Sequence, residues 1–347
     1  MEPQTLPDTG TYTLLVDPTS ANTGTAAVDL YSVAADVTDT ITPGGSPVTV
    51  TISDPGQNAS VTFSGTASQR VSMKLSSGAP SGTVYLKRAS GTIVAQPSMG
   101  GTFGNFMELV VLPATETYTL LVDPISAAIG SVTLTLYDVA ADITGSITAG
   151  GSSVTANVTD PGQNAIYTFS ATAGDRVSAL LASGAPEALI EIRKTGSFLK
   201  SAAGSSGAYI DVQTLPDTGT YTFKFDPDRW SVGTGVLTLY AVPADLTGSL
   251  TINGSAVGVT LSVPGQKGTY TFSGTSGQLV TVRATSNTMT LNLYLKKPDG
   301  SILASGISAS GTWNLAQKTL PTTGTYTVLV DPETTSTGSV NVSVTSP

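Results

Sequence analysis

Through most of this chain apolar and polar residues alternate one for one. The run Pro47-Val48-Thr49-Val50-Thr51-Ile52 shows it, as do Val61-Thr62-Phe63, Arg70-Val71-Ser72-Met73-Lys74-Leu75 and Val84-Tyr85-Leu86-Lys87. A period of two places every second side chain on one face, which predicts half-buried β-strands. No segment sustains a period of 3.6, so no helix is expected. The strands are punctuated by Pro43-Gly44-Gly45, Asp54-Pro55-Gly56, Ser90-Gly91, Gly100-Gly101 and Asp123-Pro124, residues that supply turn dihedrals and lack donors. Turns every eight to twelve residues and about eight or nine strands per copy predict an antiparallel sandwich.

The pattern itself repeats. The Asp of Leu-Val-Asp-Pro or its variant Lys-Phe-Asp-Pro stands at 17, 123, 226 and 331, giving steps of 106, 103 and 105 residues. Pro-Gly-Gln returns at Gln57, Gln163 and Gln266, and an Ala-Asp junction returns at Asp36, Asp142 and Asp245. Units of about 100 residues can each bury a core, whereas repeats of 20 to 50 build solenoids. The expected architecture is all-β: tandem antiparallel β-sandwich, jelly-roll-like modules of about 105 residues in a row. Their bounds are 34–139, 140–242 and 243–347, preceded by a partial module, residues 1–33, carrying a last pair of strands. Junctions of about three residues are too short for flexible coil. Three modules in line would then approach about 100 Å, at roughly 3.3 Å rise per strand residue.

Within each module Phe63, Phe169 and Phe272 are expected inside, as are Tyr31, Tyr137 and Tyr240. Tyr12, Tyr118, Tyr221 and Tyr326 open a strand shortly after a Leu-Pro pair, which resembles a tyrosine corner. Glu116 replaces the usual Gly before Tyr118. The orphan strands of residues 1–33 expose Leu14, Val16, Val28 and Leu30, so they are expected to pack on the neighbouring module or to pair edge to edge with another copy.

Composition removes several classes of chemistry. There is no His and no Cys in 347 residues, which excludes imidazole bases, thiolate sites, disulfides and Ser-His-Asp or Cys-His nucleophiles. The net charge is −9 with only 11% charged residues, so phosphate backbones and anionic headgroups are repelled. No apolar run reaches the roughly 18 residues of a membrane span. Met1-Glu2-Pro3-Gln4 has neither a basic start nor an apolar stretch, and Gln4 to Val16 matches Gln213 to Phe225 deep inside a repeat, so residue 1 reads as an excised boundary.

Gly162-Gln163-Asn164-Ala165-Ile166-Tyr167-Thr168-Phe169, then Ala173-Gly174-Asp175-Arg176-Val177, then Lys297-Pro298-Asp299-Gly300 and a Gly-Thr-Tyr-Thr before an apolar strand together resemble the bacterial pre-peptidase C-terminal domain. Similar arrays occur in large secreted bacterial proteins, including Rhs/YD-repeat proteins. The resemblance covers residues 36–347 and implies an accessory sandwich without catalysis; some relatives bind calcium or extracellular polymers such as collagen.

Few residues carry candidate chemistry. Asp228, Arg229 and Trp230 form a speculative ligand-binding set, since a Trp beside charged groups can stack on a sugar. Trp313 lies where other copies have Phe106 and Tyr209 and is expected in the core. The Asp-Pro carboxylates are expected to accept hydrogen bonds within their own turns. No Asp-x-Asp run offers the six to eight oxygens calcium needs, so no cofactor is expected, with calcium the minor alternative. Glu108, Glu116, Glu187, Glu191 and Glu333 are scattered at non-equivalent places, against a paired-acid hydrolase. Leu-Pro-Asp-Thr-Gly at 6–10 and 215–219, and Leu-Pro-Thr-Thr-Gly at 320–324, match a sortase pattern but run straight into a strand, so their reading is structural.

The expected role is a non-catalytic structural spacer or stalk of a secreted or cell-surface bacterial protein, with no catalytic residues and no metal site. Its partners are neighbouring modules of the same larger protein, with self-association by edge strands into a filament as an extension, and neither nucleic acid nor membrane. The alternative is an extracellular adhesion module that binds carbohydrate or protein through loops at the sandwich ends.

Overall fold

The computed structural model describes residues 3–20, 22–76, 78–99, 106–194, 197–204 and 207–347. The expected turn at Gly100-Gly101 and the first two residues of the chain lie outside them. Among the described residues every regular element is a strand, from Val37–Thr40 to Gly338–Thr345.

Six sheets pair into three sandwiches. In the second, one sheet runs Ile143–Ser146, Ala165–Ala171, Gly219–Pro227, Ala188–Lys194, Ser197–Gly204, and the facing sheet runs Val154–Val158, Gly233–Ala241, Arg176–Leu181, Ala208–Thr214. The first and third sandwiches repeat this order, each with one added short strand, Ser98–Met99 or Lys318–Thr319. Among the described residues strand pairing is antiparallel save for the first strand of each sandwich and an isolated parallel bridge between Ile252 and Val344. Val37–Thr40, Ile143–Ser146 and Leu246–Ser249 each lie parallel to the third strand of their sandwich. The connecting segment carries a strand of the opposite sheet, and that crossover makes parallel pairing attainable.

The alternation seen in the sequence is the burial pattern of the fold. In Gly219–Pro227, Tyr221, Phe223 and Phe225 are wholly buried while Thr222, Lys224 and Asp226 lie toward solvent. Three separate apolar cores result, each built around one stacked pair: Phe63 on Tyr118 at 5.4 Å, Phe169 on Tyr221 at 5.5 Å and Phe272 on Tyr326 at 5.6 Å between ring centroids. Offset stacking of this kind contributes about 0.5–1.5 kcal/mol beyond area burial. The Tyr hydroxyl of each pair reaches back four residues, donating to the carbonyls of Ala114 (2.9 Å), Asp217 (2.9 Å) and Thr322 (2.7 Å). These are the tyrosine corners. They explain the sortase-like string as structure: Leu215 and Leu320 are wholly buried and Asp217 accepts from Tyr221.

Tyr137 and Tyr240 are not core residues. Leu134 and Leu136 take the inward positions of Gly130–Asp138, so alternation turns Tyr137 outward beside Ser72; Tyr240 likewise lies beside Ser178. Trp313 is also displaced from the expected equivalence. It pairs with Ala284, the place Ala208 holds opposite Leu181, while Asn314 takes the place of Tyr209 opposite the preceding residue. One residue of register flips the face, and the half-buried Trp313 packs against the third core and over Gly306.

Residues 3–20 and 22–36 form no strands, in contrast to the two expected. Leu14, Leu15, Val16 and Leu30 stand 56%, 84%, 56% and 83% exposed. A hairpin lacking the facing sheet buries too little apolar area to order its ladder. Its tyrosine corner forms nonetheless, with Tyr12 donating to the Asp8 carbonyl at 2.7 Å.

The chain divides into two compact units, one of Met1–Ala141 with Asp160–Gln163 and one of Asp142–Thr159 with Asn164–Pro347. The first holds the first sandwich. The second holds the other two.

Candidate functional site

The densest polar chemistry in the second unit lies where its two sandwiches meet. Val242, Pro243, Ala244 and Asp245 are the whole connection, and each is tied down. Val242 N donates to Arg176 O at 2.8 Å, and the Arg176 guanidinium donates to Pro243 O (2.9 Å) and Asp245 Oδ1 (2.7 Å). Gln266 Nε2 donates to Ala244 O at 3.0 Å, and Lys267 N to Asp245 Oδ1 at 3.1 Å. Gln266 is 5% exposed, so its amide is a buried clamp on the linker rather than a surface ligand.

The turn that carries Gln266 is also the knob of the joint. Gly265 has φ = 90°, open to glycine at little cost. An added Cβ would come 3.0 Å from Tyr209 Oη and 3.3 Å from the Cβ atoms of Ser178 and Val212. Ser178, wholly buried on the outer face of its strand, donates to Pro264 O at 2.7 Å. Lys267 completes the contact by reaching Asp211 Oδ2 at 3.2 Å and Asp331 Oδ1 at 3.1 Å.

Burial sets the electrostatics of this joint. It pushes the Tyr209 phenol up to about 12, with Ser178 acting against the shift and the carboxylates of Asp211 and Asp331 adding to it. Burial works against the Lys267 ammonium, but Asp331 and Asp211 more than offset it and hold its pKa above the ordinary value. Asp331 lies above its ordinary value because desolvation outweighs the attraction of Lys267.

The same parts recur in the first unit. Gln163 donates to Ala141 O at 2.7 Å, and Ser72, wholly buried, donates to Pro161 O at 2.6 Å. At the start of the first sandwich Gln57 donates to Ala35 O at 2.8 Å. Asp54 and Asp160 accept from Ala34 N and Ala140 N at 3.2 Å, twenty residues upstream. Their side chains thus fasten the junction backbone, in addition to whatever they do for their own turns.

The speculative trio is brought together. Asp228, Arg229 and Trp230 turn the chain between Gly219–Pro227 and Gly233–Ala241. Arg229 has φ = 52°, matched by 57° at Ser126 and 47° at Thr334, so the backbone is the common turn of all three sandwiches and only the side chains are new. The guanidinium lies 5.9 Å from the Trp230 ring centroid and 3.7 Å from Asp228 Oδ2. Trp230 is half-buried, and the cation already stands over one ring face. Among the described residues no cluster of three or more acidic side chains offers a metal site.

Ser72, Ser178, Tyr209, Asp211 and Lys267 were missed from sequence. The serines carried a signal: a hydroxyl between two core residues in Val71-Ser72-Met73 recurs one repeat later as Val177-Ser178-Ala179.

Residues 266–332 match the bacterial pre-peptidase C-terminal domain. The match begins on the clamping Gln266 of the third sandwich and ends at Pro332, the last residue of the strand that carries Tyr326. No curated protein matches the chain. Two solved structures span most of it: one titled the triple jelly roll fold and turret assembly in an archaeal virus (12% identity, 87% of this chain and 90% of that one, TM-score 0.18), and Lac15 from a marine microbial metagenome (9% identity, 86% and 85%, TM-score 0.14). At such TM-scores neither likeness carries fold or function.

Proposed function

We propose that this chain is a non-catalytic structural spacer or stalk of a secreted or cell-surface bacterial protein. The observation that carries the reading is the Val242–Asp245 connection, four residues each held by a hydrogen bond to one sandwich or the other. A linker so fastened transmits position from one module to the next, which is what a spacer requires and a tether does not. The pre-peptidase C-terminal match in the third sandwich supports an accessory role and a bacterial setting. The absence of His and Cys from the sequence removes Ser-His-Asp and Cys-His nucleophile arrangements, in keeping with that role.

The alternative, an extracellular binding module, rests on Trp230 with Arg229 at a sandwich end. Two measurements separate the readings. Spin labels at Ser170→Cys and Ser273→Cys, both exposed sites in a chain with no native Cys, should give a narrow distance distribution. Panels of extracellular glycans and matrix polymers should give no binding. Binding that disappears on Trp230→Ala would establish the alternative, and a broad label distribution would defeat the spacer.

A further inference from the structure

The turn Asp54–Gln57 repeats the two knobs in everything but its cover. Gly56, Gly162 and Gly265 have φ of 86°, 89° and 90°, and Gln57, Gln163 and Gln266 are equally buried. Pro161 and Pro264 are buried, each with its carbonyl taking a serine hydroxyl. Pro55 is only half-buried.

One half of a socket is nevertheless present. An added Cβ at Gly56 would meet Pro3 Cγ at 3.1 Å, as one at Gly265 would meet Val212. Gln4 to Val16 matches Gln213 to Phe225, so Pro3 is the counterpart of Val212. The counterpart of Ser178 would lie on a strand earlier in the same sandwich, and residues 3–36 do not supply it.

We propose that the Asp54–Gln57 turn is a docking knob for the end face of a further sandwich of this type, one that presents a strand serine to the Pro55 carbonyl and takes residues 3–33 as its last two strands. This deepens the spacer reading and rests on it in treating the junction as the unit of assembly. The exposed apolar residues Leu14, Val16, Val28 and Leu30 are then the inner face of that sandwich, left bare without it.

A second copy of this chain is the weaker occupant. Its third sandwich would offer Leu279 where Arg176 stands, Thr281 for Ser178, Asn314 for Tyr209 and Ala316 for Asp211, so the guanidinium, phenol and carboxylate of the joint are all replaced. The knob therefore fits a serine-bearing sandwich and not this end face.

The test is an extended chain in which residues 140–212 are placed directly ahead of Gln4, completing a sandwich; a second version places residues 34–108 ahead of Pro3 and so supplies the Ser72 face. Hydrogen exchange should show protection in residues 11–31 rising to that of residues 220–240. Spin labels on the added copy of Ser170→Cys, or of Ser64→Cys in the second version, and on Ser64→Cys of the original chain should reproduce the distance distribution of the Ser170/Ser273 pair. Ser178→Ala in the added copy alone, or Ser72→Ala in that of the second version, should broaden it. If neither version protects residues 11–31, the strand assignment is overturned; if they are protected but the distribution is broad or insensitive to the serine, the knob is. Concentration-dependent association of the unextended chain that Thr281→Val abolishes would hand the knob to a second copy and overturn the choice of occupant. The spacer reading fails separately, on the Ser170/Ser273 pair.

Discussion

The hydroxyl of Ser178 donates to the carbonyl of Pro264 at 2.7 Å, joining the outer face of one sandwich to the first turn of the next with both residues buried. Ser178→Ala removes the donor to this buried carbonyl. Leaving a buried acceptor unsatisfied costs about 1–3 kcal/mol. The cost should fall on the joint and not on the cores: calorimetry should retain the unfolding of each sandwich, while the Ser170/Ser273 label distribution widens.

Lys267 stands where the two earlier copies have Asn58 and Asn164, and it alone bridges Asp211 and Asp331. Lys267→Asn should loosen the joint by about 1 kcal/mol or less, since both ion pairs remain partly exposed. Added salt should weaken the native joint in the same direction and the variant less, since only the Arg176–Asp245 pair remains there, a difference readable in label distances at low and high ionic strength.

Much of this architecture was legible beforehand, and the reason is physical. A period of two fixes which residues face a core, so Phe63, Phe169 and Phe272 were placed correctly from pattern and repeat alone. Tyr137 and Tyr240 depart from that expectation because equivalence between repeats does not tell inward from outward: each follows an inward Leu and must face out. The joint was harder to read. Gln266 is buried within its own turn as Gln57 is, Ser178 is an unremarkable residue type on an outer face that the next sandwich covers, and Lys267 finds Asp211 fifty-six positions away. Spacing within one strand cannot report a contact between two folded surfaces.

The tyrosine corner gives a sharper energetic expectation. Tyr221 donates to Asp217 O at 2.9 Å and also receives Asp217 N at 3.2 Å. Tyr221→Phe keeps the ring stacked on Phe169 and deletes only the hydroxyl, and because Asp217 is exposed the expected loss is about 0.5–1.5 kcal/mol. Phe169→Ala removes the ring itself and should cost about 3–5 kcal/mol. Urea denaturation of the second unit should rank them in that order. A negligible loss for Tyr221→Phe beside a full loss for Phe169→Ala would mean that the stack, and not the corner, holds the crossover.

Alkali should open the joint before it melts the cores. Tyr209 and Lys267 both have folded-state pKa values above the unfolded ones, so their contributions to stability are complete below the unfolded values and vanish as pH rises through the folded ones. For Tyr209 the window runs from its ordinary 10.0 to about 12. For Lys267 it begins above 10.5. Deprotonating Lys267 breaks its pairing with Asp211 and Asp331, and ionising Tyr209 sets a phenolate beside those same carboxylates, so the two losses act together. The label distribution across the joint should therefore broaden between about pH 10 and 12 while far-UV circular dichroism holds its strand signal. Tyr209→Phe should move the onset upward by removing one of the two groups, and Lys267→Asn should leave only the phenol's part of the transition. A joint that stays narrow through pH 12, or a strand signal lost at the same pH as the joint, would mean that these two side chains do not hold the sandwiches together.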